Sequence, residues 1–254
     1  MTILLVDAGN SRLKWSELSV TGVLSTQYAQ AYADRPALAA FIDLLESYPN
    51  VTHITLVHVL THLFAESVHA LCIERGIALQ LVRSQAQGYG IQSGYREPAR
   101  LGTDRFVGLI AAHQLAKPQP CIVIDCGTAV TLDAIDAHGK HLGGVIFPGL
   151  HLSADALIAR AQGKLSVAFD EDMSVLADHT SQAIGSGCLF ALLGAIEGIS
   201  ARMQTAFTQP AKRILTGGDA TTLQPWLQGA YQIETDLLMQ GLRYITLEDA
   251  CTTP

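Results

Sequence analysis

The stretch "LLVDAGNSRLKW", residues 4 to 15, runs an apolar strand into an Asp, a Gly and an Asn, then resumes as a second strand carrying Lys14. Two structures answer to this pattern. One is an ordinary hairpin turn, where Asp and Asn are common because their side chains bond the local backbone; the other is a loop built to hold a phosphate. In the second, Gly9 brings backbone N–H groups close to whatever lies above the turn, and Asn10 and Ser11 add short side-chain donors. Asp7 needs a cation between itself and a phosphate, so its natural task is to hold Mg²⁺, while Lys14 is placed to meet phosphate charge. Taken alone, the turn favours the plain hairpin.

A repeat shifts that balance. Residues 3 to 27 read as strand, Gly turn, strand, Gly turn, strand, and residues 121 to 147, "CIVIDCGTAVTLDAIDAHGKHLGGVIF", read the same way. In "IDCGTAVT" Asp125 takes the place of Asp7, and Thr128 and Thr131 supply hydroxyl donors. By spacing alone Asp125 looks like a second Mg²⁺ carboxylate. After each meander the pattern turns to helices and strands: helices in "PALAAFIDLLESY" and "HLFAESVHALCIERG" with strands "VTHITLVHVL" and "IALQLV" in the first half. The second half has helices in "SADALIARAQ", "SQAIGSGCLFALLGAIEGISARM" and "DLLMQGLRYI" and a strand in "KRILTGG". The breaker cluster "AKPQP" at residues 116 to 120 divides an N-terminal lobe, 1–116, from a C-terminal lobe, 117–254. Two α/β lobes, each opening with an antiparallel three-strand meander, describe a duplicated fold with a cleft between them, and two facing loops suit a polyphosphate.

Composition limits the alternatives. At 254 residues and 49% hydrophobic content the chain can bury a substantial core, and only 15% of it is charged. The formal net charge is −7 with no basic run, so a nucleic-acid surface lacks its electrostatic footprint. No apolar run reaches the ~18 residues of a membrane span, and no basic leader precedes an apolar core, so a cytoplasmic protein without a membrane segment is expected. Five cysteines without a C-x-x-C pair read as free and reduced. Cys126 flanks the second turn, but strand alternation turns it away from Asp125 and no His lies near it in sequence, against a nucleophile. His58 and His62 in "VHVLTH" span a strand end and a helix start and lack the H-E-x-x-H pattern, against a metal pair.

The segment "RLGTDRFVGLIAAH", residues 100 to 113, reads as a loop entering an amphipathic helix with Phe106, Val107, Leu109 and Ile110 toward the core. Asp104 is either a helix-end carboxylate favoured by the dipole or a base aimed, beside Arg105, at a substrate hydroxyl. Phosphoryl transfer mostly needs that hydroxyl oriented, so an ordinary carboxylate suffices. Before it, residues 84 to 105 form a long stretch with little regular pattern in which Tyr89 and Tyr95 could line a pocket. "ILTGGDA", residues 214 to 220, puts paired glycines after a strand, either as a turn or as a close approach to a flat ring. Thr180 is a helix N-cap or a hydroxyl donor to substrate, and Gly185 and Gly187 within a helix point to close packing.

The set "DAGNSRLK", "GTDR", "DCGTAVTLD", "GGVIFPG" and "TSQAIGSG", in this order and spacing, closely resembles type III pantothenate kinase, over nearly the whole chain. That family belongs to the acetate kinase, sugar kinase, Hsp70 and actin superfamily, so the resemblance implies ribonuclease H-like (actin-like) lobes with ATP in the cleft. It implies phosphorylation of pantothenate to 4'-phosphopantothenate, the first step of coenzyme A biosynthesis. ATP contacts are implied along Asp7, Ala8, Gly9, Asn10, Ser11, Arg12, Leu13 and Lys14 and at Thr128. Asp104 matches the base, and Tyr95, Gly102, Thr103, Asp104, Arg105 and Thr180 match the pantothenate site. Asp125 matches the position of an activating K⁺ or NH₄⁺, and homodimers are implied, with the pantothenate site close to the subunit contact. The competing readings are a non-catalytic nucleotide-binding accessory factor of transcription, or a kinase for another small hydroxylated metabolite, on the same fold.

Overall fold

A computed structural model of the chain describes residues 2–160, 166–169 and 173–252. In the first compact unit, strand β1 (Thr2–Ala8) turns through Gly9 into β2 (Arg12–Leu18), which pairs with β3 (Tyr28–Ala31). Helix α1 (Ala37–Ser47), strand β4 (Val51–His58), helix α2 (His62–Glu74) and strand β5 (Ala78–Leu81) follow. The sheet order is β3-β2-β1-β4-β5, with β1, β4 and β5 parallel. Leu4, Val6 and Ala8 alternate onto one face of β1 and join Phe41, Leu44, Phe64 and Val68 of α1 and α2 in one core. His58 ends β4 and His62 opens α2, as the sequence reads.

The third strand of this meander forms at residues 28–31, beyond the expected end at 27. Ser19 to Gly22 make a turn instead: Gly22 has φ +78°, and the Ser19 hydroxyl accepts the Val23 N–H at 2.9 Å, so the chain loops out before pairing again.

The irregular stretch after β5 contains a small hairpin, β6 (Gln87–Gly88) and β7 (Ile91–Gln92), and a 3₁₀ turn at Pro98–Arg100, before helix α3 (Thr103–Ala116). Tyr89 and Gly90 both have positive φ, 54° and 77°, as a two-residue hairpin loop of the I′ kind demands. A bulky residue rarely holds that backbone; here the Tyr89 hydroxyl donates to Asp249 at 2.9 Å. Burial, with this contact, pushes the phenol up to about 12. Helix α3, expected to be amphipathic, is instead buried on nearly every side, including Phe106, Val107, Leu109, Ile110 and Ala112.

The second unit repeats the plan. Strands β8 (Cys121–Cys126), β9 (Ala129–Ile135) and β10 (His141–Pro148) form the meander; helices α4 (Leu150–Ile158) and α5 (Thr180–Gln204), strand β11 (Lys212–Thr216), helix α6 (Ala220–Leu223) and strand β12 (Gln232–Ile233) complete it. Its sheet order, β10-β9-β8-β11-β12, matches that of the first unit strand for strand. By length and composition α5 could cross a membrane, but Leu189, Leu192, Leu193 and Ile196 are buried in the core of this unit with Ile122, Ile124 and Leu132. The chain is therefore the duplicated α/β fold that its repeat implies.

Two segments after residue 117 pack with the first unit: His138–His141, and the last helix α7 (Leu237–Thr252) within Asp236–Pro254. Gly241 allows the second. A Cβ there would stand 2.4 Å from the Val107 carbonyl oxygen and 2.7 Å from its Cγ1, so α3 and α7 meet through bare backbone. Gly241→Ala should therefore cost ~1–3 kcal/mol by overpacking, whereas Gly194→Ala, with nothing within 4 Å of its Cβ, should gain up to ~1 kcal/mol from helix propensity. Urea unfolding of the two variants beside the unaltered chain measures both.

Candidate active site

In the first unit Asp7 is buried near the end of β1 and lies directly across from Lys14 on β2, with Lys14 Nζ 3.9 Å from Asp7 Oδ2. The Gly9 N–H donates to the Arg12 carbonyl at 3.1 Å and closes the turn, leaving Asn10, Ser11 and Arg12 exposed while Ala8 and Leu13 are buried. Gly9 does not use a left-handed backbone, and a Cβ on it would meet only the Arg12 oxygen at 3.4 Å. The turn geometry thus asks little of glycine. What glycine provides here is an uncovered backbone, with a buried carboxylate and a lysine alongside.

The same unit gathers five of the six residues expected at the substrate. Gly102 caps α3, and Thr103 and Asp104 form its first turn. The Asp104 carboxylate folds back over that turn, Oδ1 accepting the Arg105 N–H at 2.7 Å. Gly102 makes room for it, since a Cβ there would fall 2.6 Å from Oδ1. Arg105 is only 8% exposed. Its Nη1 donates to the Tyr95 hydroxyl at 2.7 Å, and its guanidinium carbon lies 5.5 Å from the Tyr95 ring centre. A buried guanidinium tied to a phenol, one residue from a carboxylate at a helix start, is an arrangement that can bind an anionic group and hold a hydroxyl beside a base. Thr180, the sixth, opens α5 in the second unit and is exposed, on a groove of about 800 Å³ lined also by Phe147, Leu157, Ile184 and Ala191.

The second unit brings two further chain segments to the turn after β8. Gly149 sits against it so closely that a Cβ would lie 2.2 Å from the Gly127 oxygen, and its N–H donates to the Thr128 carbonyl at 3.0 Å. Gly217 has φ +96°, and a Cβ there would stand 2.5 Å from Asp125 Oδ1. The Asp219 N–H donates to the Cys126 carbonyl at 3.0 Å, and His151 Nε2 is 3.7 Å from Asp219 Oδ1. Asp125 and Thr128 are therefore framed by backbone. Across the strand from Asp125 stands Thr131, in the register position that Lys14 holds opposite Asp7.

Asp219 was legible in sequence only as part of a glycine turn, and His141, which stacks on Tyr95, carries no motif at all. Of the two helix glycines, Gly185 does pack closely, with a Cβ 2.9 Å from Val167 Cγ1, while Gly187 meets nothing within 4 Å and lines the groove.

Comparison with known proteins adds the following. The family described as type III pantothenate kinase matches residues 3–202. A type III pantothenate kinase of Janthinobacterium sp. (strain Marseille) is 34% identical over 98% of this chain and 99% of its own. One of Alkalilimnicola ehrlichii is 35% identical over 96% and 98%. Among solved structures, a Campylobacter jejuni protein described as a Baf family transcriptional activator has TM-score 0.62 at 22% identity, covering 98% of this chain and 99% of that one. A Sinorhizobium meliloti protein described as a 2-dehydro-3-deoxygalactonokinase has TM-score 0.59 at 13% identity, over 99% and 100%. These structural likenesses show the shared fold, two actin-like α/β lobes.

Cys126 is fully buried, and burial followed by the charges of Asp125 and Asp219 pushes its thiol far up. Burial likewise pushes Cys121 up to about 12 and Cys72 up to about 11. A nucleophile needs an accessible thiolate. A disulfide thiol reagent at pH 8 should label Cys251, the exposed cysteine, quickly in the native protein, and the other four only after denaturation; rapid native labelling of Cys126, read by peptide mapping, would reopen its role.

Proposed function

The chain belongs to the type III pantothenate kinase family, and from that premise we propose that it transfers the γ-phosphoryl group of ATP to the primary hydroxyl of pantothenate, the first step of coenzyme A biosynthesis. The observation that carries this reading is the first turn of α3, where the Asp104 carboxylate, shaped by Gly102, neighbours the Arg105–Tyr95 pair. Asp104 accepts the proton of the substrate hydroxyl as its oxygen bonds to the γ-phosphorus and the bond to the β–γ bridging oxygen breaks, releasing ADP. Arg105 receives the substrate carboxylate, with Tyr95 and Thr103 as polar contacts in the same unit; Thr180 is a further hydroxyl contact to substrate. The turn bearing exposed Asn10, Ser11 and Arg12, with Ala8, Gly9, Leu13 and Lys14 flanking it, holds nucleotide phosphates, and Thr128 adds a hydroxyl from the second unit.

Among the described residues no group of three or more His, Cys, Asp and Glu side chains is gathered to cage a metal. One buried carboxylate, Asp7, fits Mg²⁺ carried on ATP, an ion that keeps phosphate oxygens and waters as most of its ligands. Bound there, Mg²⁺ would neutralise phosphate charge. Asp125 offers a carboxylate among backbone carbonyl oxygens, a hard donor set suited to K⁺ or NH₄⁺, and the neutral Thr131 opposite it supplies no cation of its own. The apolar groove bearing Thr180, flanked by exposed Leu157, supports a homodimer with the substrate site close to the subunit contact. A cytoplasmic location suits this chemistry.

Purified protein should phosphorylate pantothenate with ATP and Mg²⁺, faster in K⁺ than in Na⁺. Asp104→Asn, which keeps shape but not basicity, should lower kcat by ~10²–10⁴, with nucleotide binding retained. Gly102→Ala should lower kcat with little change in Tm, since the added methyl displaces only the Asp104 carboxylate. Folded protein that binds ATP yet turns over no pantothenate in either salt would overturn the kinase reading in favour of an accessory nucleotide-binding role.

A further inference from the structure

The tip of the β9–β10 hairpin, His138–His141, has no place in the chemistry above, yet it is packed as tightly as a core. Gly139 has φ +87°, and a Cβ on it would fall 2.0 Å from the Gly90 carbonyl oxygen. Its own carbonyl accepts the Gln92 N–H at 2.9 Å, and Lys140 bridges to Gln92 in the parallel sense. Immediately beyond, His141 is fully buried. Its ring stacks on Tyr95, with centroids 5.8 Å apart and planes inclined by 21°.

Tyr95 needs such a support. It lies between β7 and the 3₁₀ turn, outside regular structure and only half-buried, and its nearby main-chain bond is a long one, from its N–H to the Ser93 hydroxyl at 3.3 Å. Left alone, its ring would be free to turn about two torsions, and Arg105, with the most rotamer freedom of any side chain at the site, would lose a fixed acceptor. Stacking against an immobile ring removes that freedom. The backbone clasp of Gly139 on Gly90 in turn fixes the imidazole with respect to this loop.

The geometry points to His141 as a positioning residue for substrate recognition: it fixes the plane of Tyr95, so that the Tyr95 hydroxyl holds the Arg105 guanidinium in the rotamer that receives the substrate carboxylate. This rests on the reading of Arg105 as the carboxylate contact of a pantothenate kinase. The ring acts by its face, so another aromatic ring serves in its place, and the effect falls on pantothenate rather than on ATP.

Steady-state kinetics and amide exchange on the full-length protein test it. His141→Ala should raise the KM for pantothenate about tenfold, the loss of one stacked support and the order its carboxylate contact depends on, with the KM for ATP changed less than about twofold. His141→Phe should restore the pantothenate KM to within about twofold of the original. Amides of residues 93–97 should exchange faster in His141→Ala but not in His141→Phe. An unchanged pantothenate KM in His141→Ala, an equal rise for both substrates, or a Phe variant as impaired as the Ala variant would overturn the inference. Should His141→Ala fail to fold, His141→Leu, which fills the space without an aromatic face, takes its place with the same expectations. If the unaltered protein does not phosphorylate pantothenate, the kinase reading falls, and the exchange at residues 93–97 still decides whether His141 positions Tyr95.

Discussion

Backbone pressed against backbone at the end of β8 is the constraint on which the second unit turns. Gly149 and Gly217 approach the Asp125–Thr128 turn from two different segments, each at a distance that excludes any side chain. The energetic logic is steric rather than attractive. A methyl group would meet main-chain atoms of the closed Gly127–Thr128 turn at one position and of the paired Cys126 at the other, neither of which can swing away like the tip of a flexible side chain. The gain is placement: Asp125 and the Thr128 hydroxyl sit on a turn whose neighbours are carbonyl oxygens and N–H groups, and β10, α4 and α6 are all anchored by the same contacts.

The first unit solves the corresponding problem differently. Its turn is closed by one hairpin hydrogen bond, and its glycine is neither left-handed nor crowded. The buried carboxylate is instead answered by a lysine from the paired strand, Lys14 opposite Asp7, where the second unit has Thr131 opposite Asp125. A buried carboxylate must find positive charge or hydrogen-bond donors somewhere. Equal folds thus carry unequal cross-strand partners, a lysine opposite the carboxylate in one unit and a threonine in the other.

Much of this was legible because the signals are local. The meanders, the helices and most element limits follow from apolar periodicity and from the Asp-x-Gly turns, and duplication makes each half a check on the other. The candidate site was legible as far as it lies on motifs: Asp7, Lys14, Asp104, Arg105 and Asp125 stand on strand ends and a helix start, which pattern alone places. What escaped is held by contacts distant in sequence. α3 reads as amphipathic because its covering helix α7 comes from more than a hundred residues later, and Gly241 gives no hint of Val107. The return of His138–His141 to the first unit is equally silent, since a glycine turn between two strands looks the same whether its tip meets water or a tyrosine.

The halves differ most where the repeat is interrupted. Between β5 and α3 the first half carries the β6–β7 hairpin and the 3₁₀ turn, whereas β12 passes almost directly into α7. That extra segment supplies Tyr95 and ends at Gly102, so two of the residues expected at the substrate come from a part of the chain the duplication does not contain, and they stand next to Thr103, Asp104 and Arg105 at the start of α3. It also lacks the means to order itself: two-residue strands and a left-handed Tyr89 cannot stand alone. Its order is borrowed, from Asp249 at one end and from Gly139 and His141 at the other. An unrepeated loop braced from outside itself can vary in sequence without disturbing either repeated turn, so the brace rather than the repeat decides how Tyr95 is held.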